Sequence, residues 1–205
     1  MKKYLLNIFL PVVIIAAAVL SIGVSCGPAS PATPTTVACD TVSPSLFKQL
    51  YLNSLTTIAA STDVNTMDLL THEYTFSVSA NKTICAVGYK SLPATSSVAY
   101  NIEILNASTS AVLYSSPHFF TSSGSFANLT SPVSITAGVQ YKVRRTITNN
   151  LGSLLNNVGR TLISPNFVAA LPKTVGGMTI YSTTAFGQGG PINNYGLPYI
   201  DLIFQ

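Results

Sequence analysis

The ten residues VQYKVRRTIT (139–148) restrict the fold more than any other stretch of the chain. Val139, Tyr141, Val143 and Ile147 fall on one side of an extended backbone, and Gln140, Lys142, Arg144, Thr146 and Thr148 on the other. That period of 2 belongs to a strand with one face in a core and one toward water. Arg145 interrupts the apolar side, where an unpaired charge is costly. The pattern therefore predicts either a bulge or strand end at Arg144 and Arg145 that resets the facing, or a buried ion pair of Arg145 with Glu103 or Asp201.

The surrounding residues, 98–148, read as two antiparallel pairs. VAYNIEIL turns through NASTS into AVLYSS, and PVSIT turns through AG into VQYKVRRTIT. Earlier in the chain, Thr71–Val78 alternates with Tyr74, Phe76 and Val78 inward, and a SANK turn leads to a second strand at 83–89 in a hairpin-like pair. Residues 43–61 place Leu46, Phe47 and Leu50 at helical spacing, yet 51–58 suits a strand equally, so a short helical turn or an edge strand is expected. Downstream, 149–160 is turn-rich, 166–170 suits a strand, Gly176 and Gly177 turn into a strand at 178–182, and 187–198 reads as a loop. Ile200, Leu202 and Phe204 share one face of a closing strand.

About eight short strands with regular turn signals and no βαβ alternation predict an all-β fold, an antiparallel β-sandwich of jelly-roll or immunoglobulin-like type. Composition agrees. Charged residues are only 8% of the 205, but 47% are hydrophobic, so the low charge reflects hydroxyl-rich outer faces and not disorder. From Cys26 onward there are eight Lys/Arg against six Asp/Glu, a net charge of +2. That excess is too small and too scattered for nucleic acid, which calls for a clustered basic stripe.

The N-terminus has the layout of an export signal: Lys2 and Lys3, an apolar run over 5–20, then the small residues Ser21, Gly23 and Ser25 before Cys26. The ending GVSC resembles the bacterial lipoprotein signal, residues 1–25 here, in which cleavage makes the cysteine a lipidated N-terminus. The resemblance implies Cys26 as lipid attachment site, more than one acyl chain, and stable membrane anchoring. Gly27 is not aspartate, so the same resemblance implies the outer membrane of the cell envelope. Cleavage to a secreted protein and retention of the apolar run as a spanning helix are the alternatives. Residues 26–38, rich in Pro, Thr and Ser, read as a tether, leaving 39–205 as a single domain.

Removing Cys26 leaves Cys39 and Cys85, an even pair in an oxidising compartment, open either to a disulfide or to two separate thiols. Neither has a CxxC partner, so zinc is not expected, and no cofactor is implied. Asp63, Asn65 and Asp68 offer oxygens at roughly calcium-loop spacing but lack the flanking Gly and Glu; side-chain-stabilised turns are the plainer account. His72 and His118 stand apart, no serine lies in a G-x-S-x-G elbow, and no carboxylates are marked as a pair. The chain does not read as an enzyme. Asn193, Asn194 and Tyr195 combine amides with an aromatic face, the mixture sugar-binding loops use.

The run EYTFSVSANKTICAVGYKS, YNIEILNASTSAVLYSS and SPVSITAGVQYKV resembles a bacterial β-sandwich domain family of unknown function, carried by secreted and surface proteins often beside carbohydrate-active modules. Phe76, Ile84, Gly88, Tyr89, Ile102, Ile104, Leu113, Ile135, Ala137, Gly138, Tyr141 and Val143 carry the likeness, over residues 71–149. It implies a fold more than an activity. The expected function is a non-catalytic, lipid-anchored binding sandwich whose partner is a glycan or an envelope protein. The alternative is a structural or adhesive surface protein with no small ligand.

Overall fold

The computed structural model describes residues 39–67, 70–90, 98–148, 158–187 and 190–205. The signal-like segment with Cys26, the tether and Asp68 lie outside these. Residues Val37–Gln205 make one compact unit.

The ambiguous stretch at 43–61 is a helix, α1 (Leu46–Thr57). Ser45 caps it: extended in backbone, its side chain accepts the Lys48 N–H at 2.9 Å, relieving one orphan donor of the first turn. Phe47, Leu50, Tyr51 and Ser54 are buried, the i, i+3, i+4, i+7 stripe of a helix lying on a core.

Among the described residues all remaining regular structure is β, apart from one 3-10 turn. The strands are β1 (Thr62–Met67), β2 (Thr71–Val78), β3 (Lys82–Tyr89), β4 (Tyr100–Asn106), β5 (Val112–His118), β6 (Ser125–Ile135) and β7 (Tyr141–Ile147). Then follow β8 (Val158–Ile163), β9 (Lys173–Val175), β10 (Met178–Gly187), β11 (Gly190–Asn193), β12 (Gly196–Pro198) and β13 (Asp201–Phe204). The long sheet runs β11-β10-β2-β7-β4-β5 with β9 against β10, and two three-stranded sheets run β1-β8-β12 and β13-β3-β6. Every pairing is antiparallel. One hydrophobic cluster takes Tyr74, Phe76 and Ile102 from the long sheet, Leu162 and Leu197 from the second, Ile84 and Leu202 from the third, and Phe47 from α1. The fold is thus mostly β and sandwich-like.

Two expected hairpins are not hairpins. β4 and β5 pair as predicted, but β2 and β3 do not pair: β2 lies between β10 and β7, β3 between β13 and β6. Likewise β6 joins β3 while β7 joins β2 and β4. In both places the turn carries the chain from one sheet to another. Alternation says which face a strand buries and nothing about its neighbour. The turn into β7 is pinned by Gly138, at φ +74°, whose N–H donates to the Val78 carbonyl at 2.9 Å.

Four further expectations are corrected. Residues 166–170 are not a strand but a turn entering a 3-10 helix, Val168–Ala170, a short apolar run that periodicity alone does not assign. The turn-rich 149–160 ends inside β8, and the loop at 187–198 contains β11 and β12. Finally, β7 has no bulge. It keeps unbroken register with both neighbours, Arg145 standing opposite His72 and Ile102. Arg145 is 0% exposed, and its guanidinium lies 5.2 Å from the Tyr89 ring and 5.4 Å from the Tyr100 ring. The carboxylates suggested for it are engaged elsewhere. Glu103 sits on the opposite face with Arg144, at 3.5 Å, and Asp201 takes Ser45 and Tyr199.

Candidate binding cavity at the β10–β12 end

The residues of β10 begin with Met178 and Ile180 facing the core. A bulge between Ile180 and Ser182 then shifts the register, so that Thr183 stands opposite Tyr74 and Ala185 opposite His72. The bulge turns both side chains to the inner face. Facing them, β8 and β12 pair with Gly196 against Ile163 and Pro198 against Thr161. A Cβ at Gly196 would fall 2.2 Å from the Leu162 carbonyl oxygen, so only glycine allows this approach. Between the two sheets lies an open cavity of about 310 Å³.

Its walls are mainly apolar: Ile163, Ala185, Ile192 and Pro198, with Tyr195 at the rim. Tyr195 is 58% exposed and Ile192 50%, an unusual pair to leave in water side by side. Polar atoms are few. His72 is almost wholly buried, and desolvation, with the nearby Arg145 charge, holds its pKa well below the ordinary imidazole value. It is therefore neutral at neutral pH. Thr161 is also buried, and its hydroxyl has no hydrogen-bond partner among the described residues, an unmet bond worth about 1–3 kcal/mol when left buried.

The sequence candidates divide here. Tyr195 lines the cavity, whereas Asn193 and Asn194 bond to β10. The Asn194 side-chain oxygen accepts the Thr183 N–H at 2.9 Å, its own N–H donates to the Thr183 carbonyl at 2.9 Å, and its φ is +55°. The Asn193 amide oxygen accepts the Thr184 hydroxyl at 3.1 Å. Both fasten the loop that presents Tyr195. Ile192, Gly196 and Pro198 come from the same stretch as Tyr195, whereas the members from β2, β8 and β10 come from other parts of the chain that no local motif links to it.

The calcium candidate falls in a strand and not a turn. Asp63 and Asn65 are alternate residues of β1; Asp63 holds Arg160, whose Nε donates to it at 3.0 Å, and accepts the Tyr51 hydroxyl at 3.0 Å. Those bonds keep the Asp63 carboxyl below its ordinary pKa. Asn65 accepts from Lys90 at 3.3 Å. Among the described residues no three His, Cys, Asp or Glu side chains gather as a metal site. Cys39 and Cys85 form a disulfide with Cα atoms 5.9 Å apart, tying the start of the unit to β3. His118 meets the Tyr114 hydroxyl at 2.8 Å. No helix among the described residues is long and apolar enough to cross a membrane. No protein-family model matches the chain, and no curated protein matches it either.

Proposed function

We propose that the protein is a lipid-anchored component of the bacterial cell envelope, held at the outer membrane through Cys26, whose domain is a non-catalytic binding module. Its sandwich is of the jelly-roll or immunoglobulin-like kind and is kin to the surface-protein β-sandwich family it resembles. The ligand is a glycan, entering the β10–β12 cavity by the apolar face of a sugar ring. One observation carries this: an open cavity of about 310 Å³ between two sheets, with an exposed tyrosine ring at its rim. Ring stacking on Tyr195 supplies the apolar contact. The Thr161 hydroxyl, without a partner among the described residues, supplies hydrogen bonding to a sugar hydroxyl, and the neutral His72 adds no charge to the wall.

The test is retention of the full chain, purified in detergent, on insoluble and soluble polysaccharides. Retention that drops about tenfold in Tyr195→Ala, the equivalent of about 1.4 kcal/mol, supports the reading; indifference to Tyr195→Ala, or no retention, sinks it. A second reading has its own observation. Strand β5 ends the long sheet with Val112 and Leu113 exposed, an open edge suited to assembly with another envelope protein. Crosslinks formed through β5 in native envelopes, with no glycan retained, would favour that structural role.

A further inference from the structure

A second cavity, of about 210 Å³, has different chemistry: Lys48, Lys90, Arg160, Ser125, Phe126 and Tyr199 line it. Three of the eight Lys/Arg that follow Cys26 meet here, in a chain whose exported part has a net charge of only +2. They arrive from the first turn of α1, the residue after β3, and the middle of β8. The Lys48 ammonium makes no ion pair or hydrogen bond among the described residues. Lys90 makes one hydrogen bond, to the Asn65 amide oxygen at 3.3 Å. Arg160 commits Nε and Nη2 to Asp63 and lies 4.6 Å from the Tyr199 ring and 5.3 Å from the Tyr51 ring. Nη1 is left without a bond to the described residues. The guanidinium is thereby fixed in place before any ligand arrives, which lowers the entropy lost on binding.

Two nearby carboxylates, Asp63 and Asp201, offset only part of the charge of the three cations. Asp63 is spent on Arg160. Asp201 is sealed at 1% exposure, bonded to the Ser45 hydroxyl and to the Tyr199 hydroxyl at 3.2 Å, and its burial raises its pKa. Beside the cations, the Phe126 ring lies against the backbone of Gly88, where a Cβ would stand 2.4 Å from the ring. The glycine lets the ring come close against β3, and Phe126 remains 43% exposed. A fixed aromatic surface thus adjoins three cations.

We propose that this cavity is a binding site for an oxyanion carried on a molecule with a flat apolar face. The phosphate, sulfate or carboxylate sits among Lys48, Lys90 and Arg160, and the carrier lies on Phe126. The site shares no residue with the β10–β12 cavity, so it stands or falls independently of the glycan reading. The same chemistry could come from an acidic or phosphorylated sugar or from a phospholipid headgroup.

The full chain in detergent would be titrated with glucose 6-phosphate, inorganic phosphate and glucose, following backbone amide signals by NMR. Binding to phosphatidylglycerol vesicles would be measured in parallel. Glucose 6-phosphate should shift the amides of Lys90 and Phe126 while glucose does not, and added salt should weaken the effect. Lys48→Gln with Lys90→Gln, side chains outside the core, should weaken binding about tenfold or more. Phe126→Leu should weaken glucose 6-phosphate and leave inorganic phosphate unchanged. Vesicle binding that needs Lys48 and Lys90, with no response to the soluble phosphates, assigns the anion to a lipid headgroup. Equal response to glucose and glucose 6-phosphate, binding indifferent to the double substitution, or no response to any phosphate probe overturns the proposal.

Discussion

Arg145 and Arg160 are held alike. Each guanidinium lies against two tyrosine rings, Tyr89 and Tyr100 for the first, Tyr51 and Tyr199 for the second. Their surroundings differ. Arg145 is wholly enclosed on the inner face of the long sheet; the Arg160 side chain is 33% exposed and pairs with a carboxylate side chain that is 22% exposed. A charge removed from water is held by its surroundings at a steep desolvation cost, so it serves the fold. One at a cavity wall keeps a donor, here Nη1, for a ligand while the rings and Asp63 fix its position.

The sharpest way to break this comparison is to delete each cation. Arg145→Ala leaves a large void and strips its surroundings of the cation they were built around. It should cost about 3–5 kcal/mol of stability, read as a lowered urea midpoint. If Arg145→Ala unfolds no more easily than the wild-type chain, the enclosed arginine is not a structural element. The disulfide comes next. It closes a separation of 46 residues between Cys39 and Cys85, for which chain entropy gives about 4 kcal/mol. Cys39→Ser with Cys85→Ser should lower stability by up to that amount. Since Cys39 anchors the segment leading into α1, which brings Lys48 and Tyr51 to Arg160, the loss should also loosen the second cavity before the first.

Arg160→Lys should cost less, about 1–2 kcal/mol, because an ammonium keeps the charge but loses the fork to Asp63 and the planar contact with two rings. Thermal unfolding would report it. An effect as large as that of Arg145→Ala would mean that the two sites are not different in kind.

How much of this was legible beforehand follows the same divide between strand and site. The alternations of β2 and β7 were readable because a half-buried strand writes its facing every second residue, and Tyr195 stood out by composition. Arg145 was readable as an oddity, but alternation could not choose between a bulge and burial; the tyrosines that enclose it lie on β3 and β4, outside its local sequence. The β2–β3 and β6–β7 turns look like hairpin turns, and only the sheets to which their strands belong reveal otherwise. β8 and β12 were hidden, one behind a turn-rich stretch and one by its length of three residues. Lys48, Lys90 and Arg160 are far apart in the chain, and no spacing rule could have gathered them.

The smallest effect separates the two arginines by pH. Arg145 lies beside His72, and burial with that charge pushes the imidazole pKa well below its ordinary 6.5. Arg160 acts on Asp63, whose carboxyl is held below its ordinary 3.8. Between pH 7 and 5 the unfolded chain takes up a proton at His72 that the folded chain refuses, so stability falls as pH falls through this window. His118, also lowered by desolvation, adds to the same slope. Asp63 contributes only further down: its stabilisation is intact above the unfolded carboxylate pKa and is lost as pH drops through the folded one. At pH 6 the His72 share is at most about 0.7 kcal/mol relative to pH 7. His72→Gln should remove that share and leave the loss below pH 4 unchanged, whereas Arg160→Lys should alter the acid limb and spare the upper one. Urea midpoints measured from pH 7.5 to 3 in both variants would read each limb separately. A slope between pH 7 and 5 that persists in full in His72→Gln would mean that burial does not hold the histidine on the cavity wall neutral.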